Sequence, residues 1–300
     1  MAVVTTAPAP GEHRLAVDGG DVCYHVAGHG PVCLVHPGGS GVAWRYLRMP
    51  EVERHLTLVY IEPLGTGGSG RLPRLADYSR ERDVHNVEAL RRHLGQERIG
   101  LLGHSYGGMV ALSYALQHAD RLDPLILHST APTSGPDFDA EMQANLTWFQ
   151  DRPWFPESRG ALRLFFRART DEEKTAAIRK VMPLFFADYD GRRAELDPFI
   201  RATRAYAVRD HDAMPAPFEV RARLHEIQAP TLILAGERDF ICSVKWARVL
   251  ERGIAGSRLA VLAHSGHMAH VEEPLAFAQA IADFLAAPNV LISAKRSVEP

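Results

Sequence analysis

Short apolar segments recur along the chain and predict β-strands. Six of them occupy residues 31–36, 56–62, 98–103, 123–129, 230–236 and 258–263, and most are separated by segments with a helical pattern, such as 77–94. Because these segments are apolar on both faces, they predict a mostly parallel sheet that is flanked by helices on both sides. Two earlier segments, 13–20 and 21–28, meet at a glycine turn that is typical of a hairpin. The pattern therefore predicts an eight-stranded sheet in an α/β fold.

The alternation of strands and helices stops between residues 133 and 227. This interval contains helix-like segments at about 138–150, 160–168, 172–187 and 194–208, with nine of the twelve phenylalanines and with Trp148 and Trp154. We interpret it as a helical cap inserted after the sixth strand, in which most aromatic residues pack together and a few face a pocket. The predicted organisation is a core at 13–132 and 228–288, a cap at 133–227, and flexible termini at 1–12 and 289–300.

Charge and cysteine content narrow the class of protein. The net charge of −2 argues against a nucleic acid or an anionic membrane as a partner. No segment approaches the roughly 18 apolar residues of a membrane-spanning helix, and the N-terminus lacks the basic start and apolar centre of a signal peptide. The chain has three cysteines, Cys23, Cys33 and Cys242, an odd number without the spacing of a metal site. This pattern is typical of free thiols in a reducing compartment. We therefore expect a cytoplasmic protein.

The segment "LLGHSYGG" (101–108) places Ser105 between two glycines, directly after a predicted strand and before a predicted helix. A sharp strand-to-helix turn needs residues with almost no side chain where backbones approach closely, and Gly103 and Gly107 meet that need. The Gly-x-Ser-x-Gly pattern in this context is typical of a nucleophile elbow. Ser105 is therefore the candidate nucleophile.

A serine nucleophile needs an imidazole as a base and a carboxylate that orients the imidazole. The loop after strand 230–236 contains Asp239, with Glu237 as the alternative acid. The loop after strand 258–263 contains His267, which follows Gly266 just ahead of a helix predicted to begin near Glu273 and Pro274. His264 at the strand end and His270 near the helix are the alternatives. The order serine, acid, histidine, each beyond a strand end, favours Ser105, Asp239 and His267.

An oxyanion hole requires backbone N–H groups that point to the developing negative charge. The residue after the nucleophile, Tyr106, is predicted to supply one of them. The other is expected from the loop "HPGGSG" (36–41), in which Pro37 has no N–H, so the donor is Gly38 or Gly39. We further predict that His36 in this loop, and Trp148 and Phe149 in the cap, contact the substrate.

These motifs resemble those of the α/β-hydrolase superfamily, in particular the branch that contains proline iminopeptidases and small-molecule esterases and lactonases. "GHSYGG" resembles the elbow, and "AGERD" and "SGHMAHVEEP" are similar to the acid and histidine signatures of that branch. The resemblance covers about residues 31–135 and 228–285, and implies the α/β-hydrolase fold with no cofactor and no metal. Serine at the elbow differs from the aspartate of dehalogenases and epoxide hydrolases.

The resemblance leaves more than one activity open. The favoured hypothesis is a serine hydrolase that acts by acyl transfer on a small-molecule ester, lactone, thioester or amide. The first alternative is an aminopeptidase of the proline iminopeptidase type, in which Asp139 or Glu141 binds a free amine. Two segments differ from that type, His36-Pro37-Gly38-Gly39-Ser40 and Glu62-Pro63-Leu64-Gly65, where it typically carries His-Gly-Gly-Pro-Gly and Asp-Gln-Arg-Gly. Acyl transfer to an acceptor other than water, or a non-catalytic ligand-binding role, are the remaining alternatives.

Overall fold

A computed structural model describes residues 8–39, 41–208, 217–287 and 290. Its eight strands form one sheet in the order β1-β2-β4-β3-β5-β6-β7-β8. The strands are β1 (Gly11–Val17), β2 (Gly20–Gly28), β3 (Val32–His36), β4 (Thr57–Glu62), β5 (Ile99–His104), β6 (Leu122–His128), β7 (Thr231–Gly236) and β8 (Arg258–Leu262). Strands β3 to β8 are parallel, whereas β2 pairs antiparallel with β1 and with β4. The predicted eight-stranded, mostly parallel sheet is confirmed.

Helices cover both faces of this sheet. They are α1 (Arg80–His93), α2 (Tyr106–Gln117), α3 (Pro136–Asn145), α4 (Phe155–Arg167), α5 (Asp171–Val181), α6 (Arg193–Ala202), α7 (Val244–Gly253), α8 (Ala269–Glu272) and α9 (Pro274–Leu285). Successive strand residues point to opposite faces, so Leu101 packs in the cluster with α1, α2 and α7, and Leu102 packs in the cluster with α9 and the insertion. Two cores of this kind explain why the strands are apolar on both faces.

Helices α3 to α6 lie between β6 and β7 in the chain, within the interval interpreted as a cap. The predicted helix over 172–187 ends earlier, since α5 stops at Val181 and a 3-10 turn covers Met182–Phe185. The predicted segment 194–208 is helical only as far as Ala202. Several aromatic residues pack against each other here, including Phe149 against Trp154 and Trp154 against Tyr189. The boundaries of the cap at 133 and 227 stay a prediction.

The predicted flexible termini fall mainly outside the described residues, which exclude 1–7, 288–289 and 291–300. The prediction is wrong for Gly11 and Glu12, which begin β1 because they pair with Val26 and His25 of β2. Among the described residues, the helices are too short or too polar to cross a membrane.

Candidate active site

Ser105 lies on the turn between β5 and α2. Its backbone has φ +54° and ψ −119°, a conformation that residues other than glycine rarely adopt and that costs on the order of 1–3 kcal/mol. The neighbouring glycines make the turn possible, because a Cβ on Gly103 would lie 2.3 Å from the Gly107 carbonyl oxygen, and one on Gly107 would lie 2.2 Å from that of His36. The Ser105 carbonyl accepts a hydrogen bond from the Thr130 hydroxyl at 2.7 Å. These contacts hold the serine at the apex of the turn.

The loops after β7 and β8 bring Asp239 and His267 together. Nδ1 of His267 donates a hydrogen bond to Oδ2 of Asp239 at 2.8 Å, and the side chains are 3% and 0% exposed. Oδ1 of Asp239 accepts hydrogen bonds from the backbone N–H groups of Ile241 and Cys242, both at 2.9 Å. These three donors compensate for the burial of the Asp239 carboxylate. The bond to Asp239 also fixes the imidazole of His267 in the tautomer with the proton on Nδ1. Glu237, the alternative acid, is exposed to solvent.

The loop that contains His267 is held by the insertion and by Glu272. The His267 N–H donates to the Phe185 carbonyl at 2.8 Å. The Glu272 carboxylate accepts hydrogen bonds from the N–H groups of Gly266 and Ala187, both at 2.7 Å. Burial raises the pKa of Glu272 to about 7, while the N–H groups act in the opposite direction. Glu272 therefore ties the loop before His267 to the insertion, a role that the sequence pattern did not reveal.

The two alternative histidines occupy different environments. His264 is exposed at the end of β8. His270 is buried, and its Nε2 donates to the Tyr46 carbonyl at 2.9 Å. Burial lowers the pKa of His270 to about 4, so it is neutral at physiological pH. The backbone N–H of His264 donates to the Glu273 carboxylate at 2.9 Å, but among the described residues neither imidazole ring pairs with a carboxylate.

The two candidate N–H groups of the glycine loop differ in their partners. Gly38 lies against the serine, because a Cβ there would be 2.8 Å from the Cβ of Ser105. Its N–H donates to the Tyr46 hydroxyl at 2.6 Å, whereas no described residue accepts a hydrogen bond from the Gly39 N–H. Tyr106 is the first residue of α2, and the first N–H groups of a helix have no intrahelical acceptor. The N–H groups of Gly39 and Tyr106 are thus available for a ligand.

Tyr46 and His104 link the glycine loop to the His267 loop. The Tyr46 hydroxyl accepts from Gly38 N and donates to Nδ1 of His104 at 2.7 Å, and Nε2 of His104 donates to the His267 carbonyl at 3.0 Å. A carbonyl oxygen can only accept a hydrogen bond, so the proton of the His104 ring lies on Nε2. Nδ1 of His104 then accepts from the Tyr46 hydroxyl, and that hydroxyl accepts from the Gly38 N–H. Burial lowers the pKa of His104 well below its ordinary value, with His267 and His270 adding to the effect. No motif in the sequence pointed to Tyr46.

Ser105 and His267 border one large cavity of about 1160 Å³, and His36, Gly38, Gly39 and Tyr106 border it as well. Much of the wall is apolar and comes from the insertion, with Met142, Leu162, Phe165, Ile178, Val181 and Phe185 among its residues. Asp239 lies behind His267, away from the cavity. Ser105, His267 and the predicted oxyanion residues therefore border one cavity that is large enough for a small organic molecule, and Asp239 is hydrogen-bonded to His267 behind its wall.

Trp148 and Phe149 lie elsewhere, contrary to the expectation that they contact a ligand beside Ser105. They border a separate cavity of about 230 Å³, together with Arg152 and Trp154. Phe149 is buried against Trp154 and Phe240, whereas the Trp148 side chain is 44% exposed. The physical reason is that Phe149 is used in packing against other aromatic residues, and no residue of the short 3-10 segment Leu146–Phe149 borders the large cavity.

His36 forms a polar group with Asp83 and Tyr106 at the cavity wall. The Tyr106 hydroxyl donates to Asp83 at 2.8 Å, and Nδ1 of His36 donates to the Pro37 carbonyl at 3.0 Å. Burial lowers the pKa of His36 and raises that of Asp83, and the attraction between the two opposes each shift. Asp83, on α1, was not anticipated from the sequence, since one acidic residue within a charged helix carries no distinguishing pattern.

Cys242 borders the cavity close to His267. Burial raises the pKa of its thiol well above the ordinary value, and the charges of Asp239 and Glu141 add to this, so the thiol stays protonated and is a poor nucleophile.

Two groups of three potential metal ligands occur among the described residues, Glu12 with Cys23 and His25, and Asp239 with Cys242 and His267. Cys23, Cys33 and Cys242 are all buried free thiols.

Comparisons with known proteins identify the family of this chain. Residues 30–274 match the family described as alpha/beta hydrolase fold. The chain is 30% identical over 270 residues to the 2-hydroxymuconate semialdehyde hydrolase of a Pseudomonas species, covering 87% of this chain and 89% of the relative. It is 26% identical to the proline iminopeptidase of Saccharolobus solfataricus, covering 87% of each chain.

A solved structure of an alpha/beta fold family hydrolase from Bacillus anthracis is similar in fold, with a TM-score of 0.74 at 20% identity, covering 91% of this chain and 99% of that one. The family match spans most of the chain, and the sheet order and the strand-to-helix turn at Ser105 fit it. The resemblance inferred from the elbow, acid and histidine motifs is thereby confirmed. The chain belongs to the α/β-hydrolase family and is a hydrolase of that family.

Proposed function

We propose that the protein is a serine hydrolase that cleaves a small-molecule ester, lactone, thioester or amide through an acyl-enzyme. The observation that carries this proposal is the buried hydrogen bond between Asp239 and His267, with His267 on the wall of the same cavity as Ser105 on its strained turn. A serine, an imidazole and an oriented carboxylate are the groups that activate a hydroxyl for attack on a carbonyl. The family match adds independent support.

In the proposed reaction, Oγ of Ser105 bonds to the substrate carbonyl carbon while its proton passes to Nε2 of His267. The resulting imidazolium is stabilised by Asp239 and returns the proton to the leaving group as the bond to that group breaks. A water molecule then attacks the acyl-enzyme with His267 again as the base. This second attack releases the acid and regenerates the Ser105 hydroxyl.

We assign the oxyanion donors to the N–H groups of Tyr106 and Gly39. Both residues border the cavity beside Ser105. Gly38 is the weaker candidate because its N–H already donates to the Tyr46 hydroxyl. Preorganised donors of this kind are worth roughly 10²- to 10³-fold each in kcat.

Wild-type protein assayed against matched substrates tests the proposal. The panel contains nitrophenyl esters, lactones, thioesters, aminoacyl nitroanilides including Pro-nitroanilide, and 2-hydroxymuconate semialdehyde. We expect an ester, lactone or thioester to give the highest kcat/KM, because the cavity wall is mainly apolar. No turnover of any member, together with reversible ligand binding, would instead support a non-catalytic role.

The aminopeptidase alternative rests on Asp139, which borders the cavity and can pair with a free amine. Glu141, the other acidic residue considered, accepts a hydrogen bond from Ser243 and pairs with Lys245 at 2.7 Å, so it is already neutralised. The proline iminopeptidase relative also supports this alternative. Hydrolysis of Pro-nitroanilide far above that of the esters would make it the better assignment.

Replacing Asp239 with asparagine should lower kcat by about ten-thousand-fold. The N–H groups of Ile241 and Cys242 both donate to one oxygen of Asp239, so the amide oxygen of asparagine should occupy that position and its NH₂ should face His267. Nδ1 must then accept, which moves the ring proton to Nε2 and blocks proton transfer from Ser105. Steady-state kinetics at several pH values measure the loss.

Glu237→Gln is the matched control for the acid, because Glu237 is exposed in the same loop. Its kcat should stay within about twofold of wild type, since surface substitutions rarely perturb a buried site. If Glu237→Gln is the inactive variant and Asp239→Asn is active, the assignment of the acid is wrong.

Replacing Tyr46 with phenylalanine should reduce kcat by at least tenfold with little change in KM. The change leaves Gly38 N and His104 Nδ1 buried without their partner, at about 1–3 kcal/mol each, and loosens the link between the two loops that position the oxyanion donors and His267. Kinetics and thermal unfolding measure the two effects separately.

Tyr60→Phe is the control for Tyr46, because the Tyr60 hydroxyl is buried and hydrogen-bonded to Met49 N at 2.9 Å and to Glu53 at 2.8 Å. It should lower the unfolding temperature to a similar extent and leave kcat unchanged. Equal loss of kcat in both variants would mean that Tyr46 contributes only to stability.

A further inference from the structure

The group formed by Asp239, Cys242 and His267 offers three different ligand types at one buried point. A carboxylate oxygen, the thiol sulfur and a ring nitrogen all lie within 4.8 Å of one another. Ligand atoms around one tetrahedral zinc ion lie roughly 3.3–3.8 Å apart, given bonds of about 2.0–2.3 Å. Each atom therefore needs to move by less than about one ångström to enclose an ion.

The same group is reachable by an ion from solvent. Cys242 and His267 both border the large cavity beside Ser105, so an ion can approach from that side and keep a water molecule as its fourth ligand. A site that is usable in solution needs such an entry path as well as suitable ligands.

We infer that the Asp239–Cys242–His267 group is an inhibitory site for zinc and similar thiophilic divalent ions. Nδ1 of His267, already 2.8 Å from Asp239, takes the ion together with the Cys242 sulfur and a carboxylate oxygen. The Cys242 proton is released to solvent, and the proton on Nδ1 of His267 moves to Nε2. A ring that is metal-bound at Nδ1 and protonated at Nε2 cannot accept the Ser105 proton.

The ligand chemistry sets the ion selectivity. Thiolate and imidazole favour Zn²⁺, Cd²⁺ and Co²⁺, whereas Mg²⁺ and Ca²⁺ prefer sites made entirely of oxygen. Inhibition by zinc in the presence of excess magnesium is therefore expected. Removal of the ion with a chelator restores activity, because no covalent bond of the protein has changed. The inhibitory effect rests on the proposed role of His267 as the base.

The test uses ZnCl₂ with the full chain, wild type and two cysteine variants. Zinc should inhibit the wild type, with activity recovered after EDTA, and MgCl₂ should have no effect at the same concentration. Cys242→Ala should raise the zinc concentration for half-inhibition by at least tenfold. Cys23→Ala is the matched control, because Cys23 is also buried and belongs to the other candidate group with Glu12 and His25, and its zinc sensitivity should equal that of wild type.

A direct measurement separates binding from catalysis. Added CoCl₂ should produce a thiolate-to-cobalt charge-transfer band in the near ultraviolet with Cys23→Ala, in which the other candidate group has lost its thiol, and no such band when Cys242→Ala is added to that variant. Unchanged zinc inhibition in Cys242→Ala, or a cobalt band that survives the loss of Cys242 in the Cys23→Ala background, would overturn the site. If cobalt binds as expected but no acyl substrate is turned over, the metal site stands and the proposed function fails.

Discussion

Ser105→Ala should lower kcat by several orders of magnitude, about a million-fold by comparison with the loss of the nucleophile in a well-studied serine enzyme. The variant should also fail to react with a fluorophosphonate probe, which forms a bond only with an activated serine. Alanine accepts the same backbone conformation as serine with the same Cβ, so the turn at φ +54° should be kept. Circular dichroism and thermal unfolding check that the fold is intact.

Ser113→Ala is a suitable control, because Ser113 is buried on α2, the helix that follows Ser105, and is not among the residues that border the cavity. Ser113→Ala should react with the fluorophosphonate probe and turn over substrate like wild type. A fluorophosphonate adduct that persists in Ser105→Ala would show that another residue is the nucleophile.

His267→Ala should lose almost all turnover, again by as much as about a million-fold, because members of a triad act as a unit and their individual losses are not additive. Without the imidazole, Ser105 has no base and Asp239 is left as a buried carboxylate with only its two backbone donors. We therefore expect a lower unfolding temperature as well. Single-turnover kinetics with an activated nitrophenyl ester measure the acylation step.

Variants of the two neighbouring histidines, His264 and His270, discriminate between a catalytic and a structural loss. His264→Ala should behave like wild type, since the ring is exposed. His270→Ala should unfold at a lower temperature, because a buried ring and its bond to Tyr46 are removed, while keeping much of its turnover. Comparable losses of kcat in all three variants at unchanged stability would contradict the choice of His267.

The preference for Asp239 over Glu237 has a physical reason that only the tertiary structure supplies. Both residues lie in the loop after β7, and either position in that loop suits the acid of a triad. The tertiary fold directs Asp239 inward, where Ile241 and Cys242 donate to it and His267 lies on its other side. A two-residue difference in position becomes a difference between a fully buried and an exposed carboxylate, because the backbone after Asp239 turns its N–H groups toward that side chain.

Aromatic content did not show which aromatic residues of the insertion border the large cavity, since Phe165 and Phe185 do so. Trp148 and Phe149 were expected at the ligand because the insertion is rich in aromatic residues, yet they border a separate cavity. Large apolar side chains stabilise a helical insertion by packing, whether or not a ligand is near. Composition cannot separate these two uses, because they involve the same residue types.

The sequence by itself determined the strand segments, the parallel core and the family, because apolar periodicity and glycine requirements are local and parallel strands end at one edge of the sheet. Ser105, Asp239 and His267 could therefore be singled out as neighbours before any coordinates. Only the tertiary structure decided that Tyr46 takes the Gly38 N–H, that Asp83 joins His36 and Tyr106, and that Cys242 meets His267. Those contacts join residues that are far apart in the sequence or that a loop brings close together. The direction of each side chain there depends on tertiary packing, which the local sequence pattern does not encode.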